Sequence, residues 1–377
     1  MTTTATKRYP LAQVSYGPEE IAAVNETLEA GETTCGKRVK TFEETFAKYV
    51  GRQHAIMVNS GSSADLLCAL GLGHAVAGDE ILIPAVTWPT QVWSCLMAGY
   101  TVRLVDVDPQ TLQFDVEDLE RKINARTEAI FPVHVLGGVG DMTKLRAATT
   151  LPILEDCCEA LGSRWEGKHV GTFGQAAAFS FFFSHVLNTM EGGMVVTNDD
   201  DRPYRLLRSH GWEPRKDYRF WFPTWGLNVR PTEVQGAFGN VQMTRLNESI
   251  AARQRNYDRL VAGTHGYSHL TGIRVLPGCQ PAWHGYPLMV SPLAPYNRDI
   301  LCEYFNEHGI ETRPIIAGNL ARQPAVLNDP RIITGQLPGA DFVHRNGFYI
   351  GLASRDDEPG TTYVAEVLSE FMKVYGC

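Results

Sequence analysis

The sequence has little that would take it to nucleic acid or across a membrane. Its 34 basic side chains are outnumbered by 42 acidic ones, for a net charge of −8, and a phosphate-neutralising surface needs the opposite balance. No run approaches the ~20 apolar residues of a transmembrane helix. Residues 1–7 have no apolar stretch of the kind that directs secretion. The eight cysteines, at 35, 68, 95, 157, 158, 279, 302 and 377, include no C-x-x-C or C-x-C pair. The expectation is a cytoplasmic protein with reduced thiols, without a disulfide frame or metal knuckle. Neither G-x-G-x-x-G nor a Walker A motif is present, so a dinucleotide fold has little support. What remains is a globular composition, 44 % apolar and 20 % charged over 377 residues. That excludes a disordered chain and suits one large domain with a smaller one.

Short β-rich runs alternate with helical patterns through the first two thirds. Helices are predicted over 18–30, 41–50, 62–72, 91–98 and 116–123, and strands over 55–58, 80–83, 102–105, 129–133, 151–154, 176–183 and 193–197. Strands separated by helices imply βαβ units and a mainly parallel sheet. A helix over 231–261 is long enough to bridge two domains. Beyond it, strands at 273–276, 286–290 and 310–313 and helices at 298–308 and 361–375 read as a small α+β unit. The expected division is 1–245 and 246–377.

Three segments put polar groups where apolar strands end. In Val58-Asn59-Ser60-Gly61-Ser62-Ser63-Ala64, small residues open a helix. Its converging N–H groups suit a phosphate, or simply an N-cap at Ser60 or Ser62. In Leu151-Pro152-Ile153-Leu154-Glu155-Asp156, an acidic pair ends a strand at the sheet's carboxyl edge, where α/β folds bind ligands. Asp156 there is a partner for a protonated heterocyclic nitrogen, or a helix cap. In Phe179-Ser180-Phe181-Phe182-Phe183-Ser184-His185, an aromatic strand enters a polar turn that closes on Glu191-Gly192-Gly193, where the glycines permit a sharp bend.

In this order and spacing, and with Asn228-Val229-Arg230-Pro231-x-Glu233 downstream, the segments resemble the DegT/DnrJ/EryC1/StrS family of fold type I pyridoxal-phosphate enzymes over roughly residues 8–375. The resemblance implies an aspartate-aminotransferase-like α/β fold, with a large mainly parallel sheet domain and a small C-terminal α+β domain. It implies a pyridoxal 5′-phosphate or pyridoxamine 5′-phosphate cofactor. Gly61, Ser62 and Ser180 would hold the phosphate, Asp156 the ring nitrogen, Glu159 the phenolic oxygen, and Trp88 the ring face, unless that indole packs in the core. Asn228 would reach the phosphate from the neighbouring subunit of a homodimer with shared active sites.

One position departs from the family. Six residues before Glu191, where the family has the lysine that binds the cofactor covalently, stands His185. Imidazole has no primary amine and cannot make that link. A degenerate chain is one reading; the other is the family's histidine branch of sugar 3-dehydratases, favoured because Ser180, Asp156 and Glu191-Gly192-Gly193 all remain. Ser209-His210-Gly211-Trp212 and Ile310-Glu311-Thr312-Arg313-Pro314-Ile315 match that branch. Val186, where a second histidine is usual, and Gly351-Leu352-Ala353-Ser354 depart from it. The resemblance implies removal of the C3 hydroxyl of a nucleotide-linked 4-keto-6-deoxyhexose, foremost a GDP-linked mannose derivative, with L-glutamate as amino donor and ammonia released. His185, with an ordinary pKa of ~6.5, would serve as base near neutral pH. His210 is a candidate for the sugar, or else sits at a helix end. Arg215 and Arg219 would meet the diphosphate, or belong to a solvated charged loop. An aminotransferase with an atypical site and a silent scaffold are the alternatives. The scattered cysteines argue against a reductase-coupled iron–sulfur branch.

Overall fold

The computed structural model describes residues 8–375; the leader reading at 1–7 and Cys377 lie outside them. The chain opens with helices α1 (Pro18–Glu29) and α2 (Lys37–Val50). It then alternates β1 (His54–Val58), α3 (Gly61–Gly71), β2 (Glu80–Pro84), α4 (Pro89–Met97), β3 (Thr101–Val105), α5 (Val116–Lys122), β4 (Thr127–Ile130), α6 (Met142–Ala148) and β5 (Leu154–Asp156). A hairpin, β6 (Arg164–Trp165) and β7 (Lys168–His169), precedes β8 (Ala176–Ser180), β9 (Gly193–Thr197) and α7 (Arg202–Arg208). The long helix α8 (Glu233–Thr264) passes through residue 245 unbroken. After it come β10 (Leu270–Thr271), β11 (Cys279–Gln280), β12 (Gly285–Val290), α9 (Arg298–Glu307), β13 (Thr312–Pro314), α10 (Pro324–Leu327), β14 (Ile332–Ile333), α11 (Pro338–Asn346), β15 (Gly347–Gly351) and α12 (Glu358–Tyr375).

Two four-stranded ladders, β14-β3-β2-β4 and β5-β8-β9-β1, meet through parallel bridges Ile130–Ile153 and Val133–Asp156. The result is one eight-stranded sheet in which β9 alone runs antiparallel to its neighbours β8 and β1. Both faces are covered. Ile56 and Val58 of β1 pack with Ile81 and Ile83 of β2 on one face, while Ala55, Met57 and Leu82 pack on the other. Burial on both faces is why these strands read as continuous apolar runs. A second, antiparallel sheet, β10-β12-β15-β13, gathers its own core from Tyr257, Trp283, Tyr286, Phe305, Phe348 and Phe371.

Several expected boundaries move, each for a physical reason. The ladder at β5 begins at Leu154 and that at β4 ends at Ile130, because Pro152 and Pro132 have no N–H to give it. The chain leaves the sheet at Ser180, so 181–183 are not strand. Residues 273–276 join no sheet; the Arg274 N–H donates to the Gln110 carbonyl and the Leu276 carbonyl accepts from the Cys279 N–H. The pairings fall instead on β10 and β11. Helix α2 starts a turn earlier than expected, for a reason that lies far along the chain.

Candidate active site

The carboxyl ends of β1, β5 and β8 converge, and glycines let them. Gly193 pairs with Ser180 on one side and Val58 on the other; a Cβ there would lie 2.2 Å from the Ser60 carbonyl oxygen. A Cβ on Gly61 would lie 2.6 Å from the Ser180 Cβ. The first turn of α3 therefore sits directly against Ser180. Ser60 is the N-cap, its Oγ accepting from the Ser63 N–H at 3.1 Å, which leaves Ser62 exposed with its hydroxyl 3.1 Å from Thr90 Oγ1. Gly61, Ser62 and Ser180 thus surround one helix N-terminus, the preferred seat of a phosphate.

Asp156 ends β5, buried, with Oδ1 accepting from the Cys158 N–H at 3.0 Å. It does not cap a helix. Beside it, Asp65 of α3 is buried with Oδ1 lacking any hydrogen-bond partner. Burial first, and the Asp156 charge second, push the Asp65 carboxyl well above the usual carboxylate range; burial also raises Asp156. Among the described residues no basic side chain pairs with either. Two enclosed carboxylates without a cation are costly, and they fit a protonated ring nitrogen.

His185 lies in the loop between β8 and β9, which is pinned by backbone bonds from His185 to Phe182, Thr189 to Phe181, and Phe181 to Gly192. Its ring meets that of His284, at the start of β12, edge to face with centroids 4.9 Å apart. His284 Nε2 is 4.0 Å from Glu159 Oε1, and Glu159 Oε2 accepts from the Leu136 N–H at 2.8 Å. Ser180, Cys158, Glu159, His185, Trp283 and His284 line a small pocket. Burial, then the nearby Arg253 charge, lower the His185 pKa to about 3, with the Phe182 carbonyl pulling weakly the other way. The expectation of an unperturbed imidazole is thereby corrected: the protein's interior keeps this ring neutral. Burial lifts the Glu159 carboxyl to about 7.

Trp88 is not a core residue. It is 57 % exposed at the N-cap of α4. Asn228 is exposed and pairs with Ser209, while the following Val229 carbonyl accepts from the Asn59 N–H at 3.0 Å. His210 follows the C-cap of α7 with φ +63°, a conformation that disfavours a non-glycine residue. Arg215 and Arg219 lie over the rings of Trp221 and Phe220, at 5.0 and 5.8 Å from the centroids. Among the described residues, none of these five side chains bonds to the pocket of its own chain. Three residues not anticipated from the sequence do belong to the site: Asp65, His284 and Arg253. A lone aspartate among the apolar residues of α3 is the one local feature that could have found Asp65.

The model of the DegT/DnrJ/EryC1/StrS aminotransferase family matches residues 15–369. The GDP-4-keto-6-deoxy-D-mannose 3-dehydratase of Yersinia pseudotuberculosis is 34 % identical, covering 91 % of this chain and 93 % of that protein. The GDP-perosamine synthase of Caulobacter vibrioides is 37 % identical over 76 % of this chain and 80 % of its own. The E. coli GDP-4-keto-6-deoxy-D-mannose-3-dehydratase, solved with bound hydrated PLP, superposes with a TM-score of 0.90 at 31 % identity, covering 97 % of this chain and all of that one. The chain belongs to the DegT/DnrJ/EryC1/StrS aminotransferase family of fold type I pyridoxal-phosphate enzymes.

Proposed function

We propose that this protein is a pyridoxal-phosphate/pyridoxamine-phosphate-dependent nucleotide-sugar 3-dehydratase. Its substrate is GDP-4-keto-6-deoxy-D-mannose, and its amino donor is L-glutamate. The observation that carries the reading is His185, which stands where the family uses lysine inside a pocket whose other parts are intact. The 3-dehydratase relatives support the substrate. The similarity to a GDP-perosamine synthase favours a second reading, an aminotransferase, but no lysine lies between Lys168 and Lys216 to supply the amine.

Asp156, backed by Asp65, would hold the cofactor's ring nitrogen in its protonated form. Gly61, Ser62 and Ser180 would hold the phosphate with N–H and hydroxyl donors, Trp88 would flank the ring, and Glu159 would meet the phenolic oxygen. When bound, the cofactor supplies an electron sink and, once aminated by glutamate, an amine that engages the C4 ketone. His185 does the proton work. Its buried imidazole, with Nδ1 lacking a partner in the protein, would accept a proton and then deliver it to the departing C3 oxygen, which leaves as water. A neutral imidazole neither competes for the cofactor's aldehyde nor enters the cycle already protonated. His210, Arg215 and Arg219 would meet the sugar and diphosphate, with the aromatic hairpin around them bearing on a second copy of the chain. That copy would cover the exposed Trp88, Phe182, Phe183 and Trp225 and bring Asn228 to its neighbour's phosphate. No helix of the described residues is long and apolar enough to cross a membrane, and the function belongs in the cytoplasm with nucleotide-sugar metabolism.

The test is a panel of GDP-, dTDP- and CDP-linked 4-keto-6-deoxyhexoses incubated with L-glutamate and cofactor. Ammonia release with the GDP sugar supports the reading. Turnover without ammonia, or none with any sugar, overturns it.

A further inference from the structure

Arg253 on α8 is 4 % exposed and, among the described residues, has no carboxylate partner. Its Nε donates to Ser354 Oγ at 3.0 Å. One terminal nitrogen donates to the carbonyls of Trp283 at 3.4 Å and His284 at 2.9 Å, the other to the Ser184 carbonyl at 3.0 Å. These partners belong to three separate segments: the loop carrying His185, the entry to β12, and the turn before α12. Carbonyl oxygens satisfy the donors but do not cancel the charge, and an enclosed cation without a counter-ion is expensive. A fold that keeps one beside two imidazoles has placed a fixed positive charge where a further positive charge would form.

We propose that Arg253 is a positioning residue for His185. It ties the His185 loop to the small sheet through Ser184, Trp283 and His284, and its uncompensated charge holds both imidazoles in the proton-accepting form. The role rests on the dehydratase reading, in which His185 moves the proton. The groups facing the pair are Cys158 and Glu159 from the segment after β5, Arg253 from α8, and Tyr349 from β15, whose ring lies 6.4 Å from that of His284. Of these only Arg253 is a cation. Burial and then Arg253 depress His185; for His284 the order is burial, His185, then Arg253.

The experiment is a histidine-labelled NMR titration of the full-length protein without cofactor, with the His185 resonance assigned from His185→Asn. In the wild type the ring stays neutral to below about pH 5; a midpoint near the ordinary imidazole value overturns the proposal without any variant. Arg253→Gln keeps a donor but loses the charge, and raises the midpoint by about one pH unit. Arg253→Lys keeps the charge, leaves the midpoint in place, and lowers kcat with KM for the sugar unchanged. An unmoved midpoint in a folded Arg253→Gln, or equal shifts in both variants, overturns it. The titration needs no turnover, so an amino-sugar product would defeat the functional reading while the Arg253–His185 coupling is still measured.

Discussion

Position 185 decides what the pocket can do. His185→Lys would place a primary amine against the same cavity. With pyridoxal phosphate the variant is expected to form a covalent adduct that borohydride fixes at residue 185, and dehydration should fall by about 10²–10⁴-fold, the usual worth of a positioned acid–base group. A variant that dehydrates at the wild-type rate would remove His185 from the proton path. Asp156 offers a test of opposite sign for stability and binding. Its native pKa, like that of Asp65, is raised by burial, so the pair is tolerated below the ordinary carboxylate range. It costs stability as pH rises through the raised values. Asp156→Asn should therefore stabilise the cofactor-free protein at neutral pH by about 1–2 kcal/mol, while weakening pyridoxal phosphate by about 10–100-fold through loss of a charge-assisted bond. Thermal melts with and without cofactor measure both. The histidines act in the other direction: His185 and His284 are held below the ordinary imidazole value, so their neutral burial subtracts stability as pH falls from about 6.5 toward the depressed native values.

Among the elements, several starts set by a nearby residue were legible and one set from a distance was not, although α6, capped locally by Asp141, was not anticipated. Ser60, Asp115 and Asn297 each accept an N–H of the helix they open, and Thr232 with Gln235 forms the capping box of α8. All are local patterns. Helix α2 has no such cap. Its N-terminus is held by Glu233 of α8, whose carboxylate accepts from the N–H groups of Gly36, Arg38 and Val39 at 2.8, 2.8 and 3.0 Å. No window of local sequence contains that contact, so the helix was expected from Thr41 onward. Glu233→Gln should lower stability by about 1–3 kcal/mol, the penalty for weakening buried charge-assisted bonds, read as a shift in the urea midpoint. The site divides in the same way. Gly61, Asp156, Ser180 and His185 were visible because they lie at or just beyond the ends of strands of one sheet, in recognisable runs. His284 and Arg253 were not, because what distinguishes them is burial beside His185 and a missing counter-ion, neither of which leaves a pattern in the chain.

At the scale of the whole molecule, α8 links the two sheets, contributing Leu246 to one core and Leu260 to another. The proposed second copy of the chain would cover the exposed Trp88, Phe182, Phe183 and Trp225. If Asn228 completes the neighbour's site, mixing His185→Lys with Asn228→Asp chains, each inactive alone, should restore about a quarter of wild-type activity, since one of the two sites in each hybrid dimer is intact. No recovery would place Asn228 outside the shared site. The central claim is that a family built for transamination here removes a hydroxyl instead. The most direct measurement is the mass of the sugar after full turnover of GDP-4-keto-6-deoxy-D-mannose with L-glutamate and catalytic pyridoxal phosphate. The account predicts a GDP-sugar lighter than the substrate by one oxygen atom, with no nitrogen added to the hexose and with one ammonia and one 2-oxoglutarate formed per sugar. A product carrying an amine at C4 and retaining its C3 hydroxyl would contradict it.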